Sequence, residues 1–171
     1  ERIRDEINKL ITVESPSAGL WFLVETGLAD KFLPELPAMR LEHDPIHRHK
    51  DVLTHTLAVI ENVHADANES FDFRITRLAA LFHDVGKPAT RGFIEGKGTT
   101  FHMHDVKGAK MTRKRLVALR YPNEDVVAIT ELVRLQADRM PAQGRARWLR
   151  SAQTPRSGGL RGRRCCSSAG G

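Results

Sequence analysis

The chain has 171 residues, 40% of them hydrophobic and only 6% aromatic, a composition that closes one largely aliphatic core and fits a single domain with a small appendage. No apolar run approaches the roughly 20 residues that cross a bilayer, and the start Glu1-Arg-Ile-Arg-Asp-Glu lacks the apolar stretch of a signal peptide. No membrane association and a cytoplasmic location are the expectation; the adjacent Cys165 and Cys166 suggest no disulfide framework.

The net charge of +6 is unevenly held. Residues 1–138 contain all 21 acidic residues and 19 of the 27 Lys and Arg, whereas 139–171 contain eight Arg and no acid. The basic character therefore belongs to the tail.

In chain order, ERIRDEINKLIT over 1–12 places Ile3, Ile7, Leu10 and Ile11 at helical spacing. Ser15-Pro16 reads as a helix start, with Ser as N-cap and Pro at the first helical position, and Gly27 as the C-cap. Leu28–Phe32 is a short helix stopped by Pro34 and Pro37, and Met39–His49 is a polar, His-rich connection. Asp51–Ala65 is an amphipathic helix with His55 on its apolar side. Residues 72–85 form an apolar helix that ends at Gly86-Lys87-Pro88. Residues 88–101, with Pro88, Gly92, Gly96 and Gly98, read as a loop carrying a small hairpin over Phe93–Phe101. His102–Arg120 is helical, Tyr121-Pro122-Asn123 is a turn and N-cap, and Val126 through Leu135 define a last amphipathic helix. After Arg139 the periodicity stops, and a segment this rich in Arg, Gly, Ser and Ala is expected to be disordered. The abrupt change of composition near 135–139 is what an out-of-frame reading of GC-rich DNA produces. The missing initiator Met points to a fragment.

Eight histidines are present. His83 and Asp84 are adjacent at the end of an apolar helix, and His55 lies on the apolar side of the helix before it. An imidazole on an apolar face needs a partner. A lone one is more often a core histidine bonded to a carbonyl. Three such groups on sequential core helices favour a metal site, in which neutral imidazoles and a carboxylate are held by a rigid scaffold.

Three segments then carry a resemblance: His49-Lys-Asp-Val-Leu-Thr-His55-Thr-Leu, Leu78-Ala-Ala-Leu-Phe-His83-Asp84-Val-Gly-Lys-Pro88, and Phe101-His-Met-His104-Asp-Val-Lys-Gly-Ala-Lys-Met111. They resemble the HD superfamily of metal-dependent phosphohydrolases, and more narrowly the HD domain of bacterial CCA-adding tRNA nucleotidyltransferases of the actinobacterial type. Residues 1–37 are similar to the linking segment that precedes that domain.

The resemblance implies an all-α fold: a neck-like helical segment over 1–40, a C-terminally truncated HD bundle over 41–138, and a disordered tail over 139–171. It implies a divalent metal (Mg, Mn, Ni, Co, Fe or Zn) on His55, His83 and Asp84, with Asp138 as a fourth ligand. Asp84, Lys87 and His104 become the catalytic candidates. His102 and Arg91 are further candidates for phosphate, and His49 shapes the entry to its helix. His43, His47 and His64 read as surface or helix-end residues. The implied activity is phosphodiesterase or phosphatase action on nucleotide or RNA-end phosphoesters, with tRNA or a nucleotide as partner and homodimerisation left open. The nucleotidyltransferase head, with its glycine-serine turn and paired aspartates, does not occur in this sequence. Two other readings stand beside this one: a non-catalytic tRNA-binding or dimerisation scaffold, and a free-standing HD nucleotide hydrolase.

Overall fold

A computed structural model of the chain describes residues 1–41, 51–64, 72–95 and 98–135. In chain order these form α1 (Arg2–Thr12), α2 (Ser17–Glu25), α3 (Ala29–Phe32), α4 (Glu35–Ala38), α5 (Val52–Glu61), α6 (Phe73–Phe82), α7 (Lys87–Thr90), β1 (Arg91–Ile94), β2 (Gly98–Phe101), α8 (His104–Ala118) and α9 (Asn123–Leu135). The all-α expectation holds. The one sheet among the described residues is the β1–β2 hairpin, antiparallel with Phe93 opposite Thr99. No helix of the described residues is long and apolar enough to cross a membrane. The expected tail and the polar connection over 42–49 lie outside the described residues.

The centre of the bundle is α6. Asp72 caps it, its carboxylate accepting from Arg74 N and Ile75 N. Every residue from Ile75 to Phe82 is buried, because α6 packs against α1, α5 and α9 and has no solvent face left. Helix α1 contributes Ile7 and Ile11 to the same core, and α9 contributes Val126, Ile129, Leu132 and Val133.

A cation sits inside this core. Arg77 is 1% exposed. Its guanidinium donates to Ile11 O at 2.9 Å, Val63 O at 3.0 Å, Glu14 O at 3.3 Å and also to Val13 O. It also lies 4.3 Å over the Phe73 ring. The turn after α1 is thereby fastened to the centre of the bundle.

Several boundaries differ from the sequence expectation, each for a local reason. Ser15 does not cap α2. Its hydroxyl donates to Glu61 Oε1 at 3.0 Å, and the same oxygen accepts from Ser17 N at 2.9 Å, so a carboxylate from α5 caps α2 in its place. Hydrogen bonding from Ser17 lowers the Glu61 pKa. Helix α3 ends at Phe32 as expected, and Pro34 and Pro37 then sit at the cap and in the first turn of a further helix, α4, where a missing N–H costs nothing. Helix α5 ends at Glu61, four residues before Ala65, and α6 ends at Phe82 rather than 85. Residues 88–90, expected as loop, belong to the one-turn α7 (Lys87–Thr90), with Pro88 in its first turn. Helix α8 starts at His104, two residues late. Gly27 does close α2, at φ 70°.

Helix α8 closes with a Schellman pattern: Tyr121 N donates to Leu116 O and Arg120 N to Val117 O. The left-handed position is taken by Arg120 at φ 60° instead of a glycine. The Arg120 carbonyl accepts from Arg4 Nη1 at 2.8 Å, which helps hold it there. The next side chain, Tyr121, is buried and donates to Asn8 Oδ1 at 2.9 Å.

The other end of α8 is set by space. A Cβ on Gly86 would lie 1.9 Å from His104 O and 2.7 Å from Gly108 N. Gly86 has φ −79°, so its backbone is ordinary and clearance is what requires glycine. Gly108 faces it; a Cβ there would lie 3.3 Å from Gly86 N. The two glycines let the turn after α6 pack directly on the first turns of α8.

Gly86→Ala is expected to destabilise the chain by about 1–3 kcal/mol through this backbone collision. The measurement is the thermal midpoint of the far-UV circular dichroism signal, falling by about 2–4 °C per kcal/mol; an unchanged midpoint would refute the packing argument. A second expectation concerns Tyr121, the one tyrosine of the chain. Burial pushes its phenol up from 10.0 to about 12. A raised pKa means the stabilisation is complete below pH 10 and is lost as pH rises towards about 12, a difference of about 3 kcal/mol. The phenolate absorbance should therefore rise near pH 12, and Tyr121→Phe should flatten the alkaline loss of stability relative to wild type.

Candidate metal centre

Five side chains meet where α5, α6, α7 and α8 come together. Helix α5 carries His55. The turn that ends α6 carries His83 and Asp84. Lys87 opens α7 and His104 opens α8. Adjacent residues on a regular helix diverge by about 100°, so His83 and Asp84 would not share a target had α6 run on. The turn tightens instead, with Val85 N donating to Phe82 O and Lys87 N to Asp84 O. His83 Nε2 then lies 3.0 Å from Asp84 Oδ2.

The hydrogen bonds of His83 define its chemistry. Its Nδ1–H donates to Ala80 O at 2.7 Å. In the neutral ring this leaves a lone pair on Nε2. That atom is buried, has no hydrogen-bond partner, and faces a carboxylate oxygen. Two electron-rich atoms in this position repel each other unless a positive charge lies between them or on the ring.

His55 brings a second imidazole. Its Nε2 is 3.8 Å from Asp84 Oδ2, and its ring stands edge-on to that of His83 at 5.4 Å between centroids. One ligand atom each from His55, His83 and Asp84 lie within 4.8 Å of one another. The orphaned lone pair, the buried carboxylate and the second imidazole form the donor set that a divalent cation of borderline softness requires.

His104 repeats the design of His83. Its Nδ1–H donates to Phe101 O at 2.9 Å, directing Nε2 at Asp84 Oδ1 from 3.9 Å. The preceding residue, Met103, is left-handed at φ 56° and largely exposed. A non-glycine residue in this region carries strain of order 1 kcal/mol, sustained where the chain turns from β2 into α8 to present His104.

Lys87 supplies the nearest cation, its Nζ donating to Asp84 Oδ2 at 2.7 Å. Burial alone would push the Asp84 pKa upward. The charges of the His83 ring and of Lys87, with the hydrogen bond from Lys87, outweigh it and hold the carboxyl well below the usual range.

The residues singled out in the sequence sort as follows. His55, His83, Asp84, Lys87 and His104 are brought together. His102 is exposed beside Met103, Arg91 is exposed on β1, and His64 is exposed beyond α5. His43, His47, His49 and Asp138 lie outside the described residues. Sequence reasoning missed the clearance role of Gly86 and Gly108, and the left-handed Met103. Gly108 left one trace, a glycine in the interior of a helix, which needs a packing reason.

With this geometry in view, the comparisons with known proteins carry weight. The family model described as "HD domain" matches residues 52–164, and the model described as "Probable RNA and SrmB- binding site of polymerase A" matches residues 1–39. A CC-adding tRNA nucleotidyltransferase of Thermus thermophilus is 36% identical over 148 residues, covering 85% of this chain and 33% of that protein. An A-adding tRNA nucleotidyltransferase of Deinococcus radiodurans is 34% identical over 147 residues, covering 83% and 32%. A multifunctional CCA protein of Herminiimonas arsenicoxydans is 30% identical over 126 residues, covering 72% and 29%. The chain spans about a third of the length of these relatives. It belongs to the HD-domain family, on the side of that family related to tRNA nucleotidyltransferases.

Proposed function

We propose that the chain is the metal-dependent phosphohydrolase portion of a tRNA 3′-end-processing protein, acting on nucleotide or RNA-end phosphoesters in the cytoplasm. On this reading residues 1–40 are the neck, 41–138 the HD domain and 139–171 a tail. The observation that carries the reading is the buried, partnerless Nε2 of His83 facing the Asp84 carboxylate.

His55, His83 and Asp84 would hold the cation, with Asp138 as a further ligand. The mixed nitrogen and oxygen set admits Mg, Mn, Fe, Co, Ni or Zn. When bound, the cation supplies Lewis acidity towards a phosphoryl oxygen and lowers the pKa of water towards about 7. The protein's own contribution is positional. The Ala80 carbonyl fixes the ring of His83, and the Phe101 carbonyl fixes that of His104. Asp84 would orient the attacking water by accepting a hydrogen bond from it. Lys87 and His104, both partly exposed beside Asp84, offset charge on the transferring phosphoryl group.

One observation favours a second reading. Lys87 already neutralises Asp84 at 2.7 Å, which suits a non-catalytic scaffold for tRNA or for a second copy of the chain. A hydrolysis assay separates the two. The purified chain with Mn, Co or Ni should hydrolyse 2′,3′-cyclic AMP. His83→Ala or Asp84→Ala should lower the rate by about a hundredfold or more, and a chelator should abolish it. Variants as active as wild type, or a wild type without activity, would favour the scaffold.

Lys87 has its own signature. Its ammonium and a cation compete for Asp84 Oδ2, so Lys87→Ala should lower the metal concentration for half-saturation by about tenfold. The same change should reduce turnover at saturating metal, because charge on the phosphoryl group is then less well offset. A metal titration of the rate reads both effects, and a weaker metal affinity in Lys87→Ala contradicts the competition.

A further inference from the structure

We propose that the exposed lysine face of α8 is a docking track for the phosphate backbone of an RNA strand whose end lies at the Asp84 centre. The proposal rests on the hydrolase reading only for what happens at that end.

Helix α8 begins at the centre, with His104 Nε2 3.9 Å from Asp84 Oδ1. Its buried face is Gly108, Ala109, Thr112 and Leu116. Lys107, Lys110 and Lys114 are exposed. At 100° per residue these three fall within an arc of about 60°, and at 1.5 Å per residue they span about 10 Å along the axis. Arg113 extends the same side. The acidic residue of the helix, Asp105, lies about 160° around from Lys107. The charged face thus leads directly away from the phosphoester centre.

Among the described residues no carboxylate lies within ion-pair distance of Lys107, Lys110 or Lys114. Arg115 on the same helix is paired to Glu35 at 2.8 Å, and Arg74, Lys9 and Arg40 are paired as well. The track is also local, because residues 1–138 as a whole carry more acid than base. Unpaired lysines on flexible stems contact phosphates without reading bases.

Three cations spread over about 10 Å exceed what one phosphate engages, so a polymer fits better than a free anion. Phe93, 72% exposed on the hairpin, offers an aromatic face on which an unpaired base stacks. An anionic membrane fits less well. The apolar face of α8 is buried in the core, and Val117 is the one large apolar residue exposed along it.

The test uses the full chain, a fluorescein-labelled single-stranded RNA, chelator throughout, and anisotropy titrations at several salt concentrations. Each phosphate contact on a single strand contributes about 0.7 to the slope of log K against log salt. The triple variant Lys107→Ala, Lys110→Ala, Lys114→Ala should therefore lose about 2 from the slope, while the triple Lys→Arg variant should keep it. The Arg-rich tail contributes equally to all three proteins and cancels in the difference. Should the triple alanine variant lose its helical signal, Lys110→Gln and Lys114→Gln singly should each lower the slope by about 0.7. An unchanged slope overturns the proposal. So does a wild type that binds no RNA, and so does a charge dependence that appears with phosphatidylserine vesicles and not with RNA. Because binding is read without metal, a slope change beside an inactive wild type keeps the track and retires only the hydrolase reading.

Discussion

The fold turns on a buried guanidinium. Taking Arg77 out of water costs several kcal/mol, and burial lowers its pKa accordingly. Backbone carbonyls from Ile11, Val13, Glu14 and Val63, together with the face of Phe73, offset that cost. Three of those carbonyls belong to the stretch that leaves α1, where the chain would otherwise bury acceptors with no donor. One side chain therefore satisfies the polar groups of a segment matched as RNA-binding, from a helix matched as HD domain. Six residues further on, the same helix reaches His83. The N-terminal segment and the candidate metal centre thus share a rigid element, and Glu61 reinforces the link by capping α2 from α5.

Helix α8 is positioned at both ends by backbone rather than by side chains. At its start Gly86 and Gly108 admit a contact that any Cβ at 86 would forbid, and this brings His104 within reach of Asp84. At its end the left-handed Arg120 turns the chain into α9, held by Arg4 from α1. The orientation of the lysine face relative to the centre is therefore fixed by two backbone junctions, not by the lysines themselves.

This explains which features could be read from the sequence. His55, His83 and Asp84 were legible because polar residues on apolar helical faces stand out against a 3.6-residue period. The helical class, the hairpin and the Gly27 cap followed from the same period and from turn chemistry. What stayed hidden depends on tertiary neighbours. Ser15 has the right chemistry for a cap, but Glu61 from another helix takes the position. Pro34 and Pro37 do end α3, but the sequence did not show that they also open α4, at its cap and in its first turn, where proline is tolerated. Gly86 reads as a helix stop, whereas its backbone is ordinary and its real constraint is the carbonyl of His104. Arg77 carries no sequence signal of its burial, because its acceptors come from the turn after α1 and from Val63.

The centre itself is an exercise in charge compensation around one carboxylate. Asp84 is 4% exposed and could not remain ionised there alone. Lys87 supplies one answer from within the chain, at 2.7 Å and on the next turn. A cation shared with His83 and His55 supplies another, and only that one also uses the His83 lone pair. The two answers draw on the same carboxylate, so each weakens the other. Because Lys87 is always present, folding need not wait for metal, in contrast to small domains whose metal binding is their folding energy. On the metal-site reading the cost of this arrangement would fall on metal affinity, since a cation would compete with an ammonium already in hydrogen-bond contact. What the geometry itself carries is a carboxylate that Lys87 compensates from within the chain and a His83 Nε2 lone pair that this compensation leaves unused.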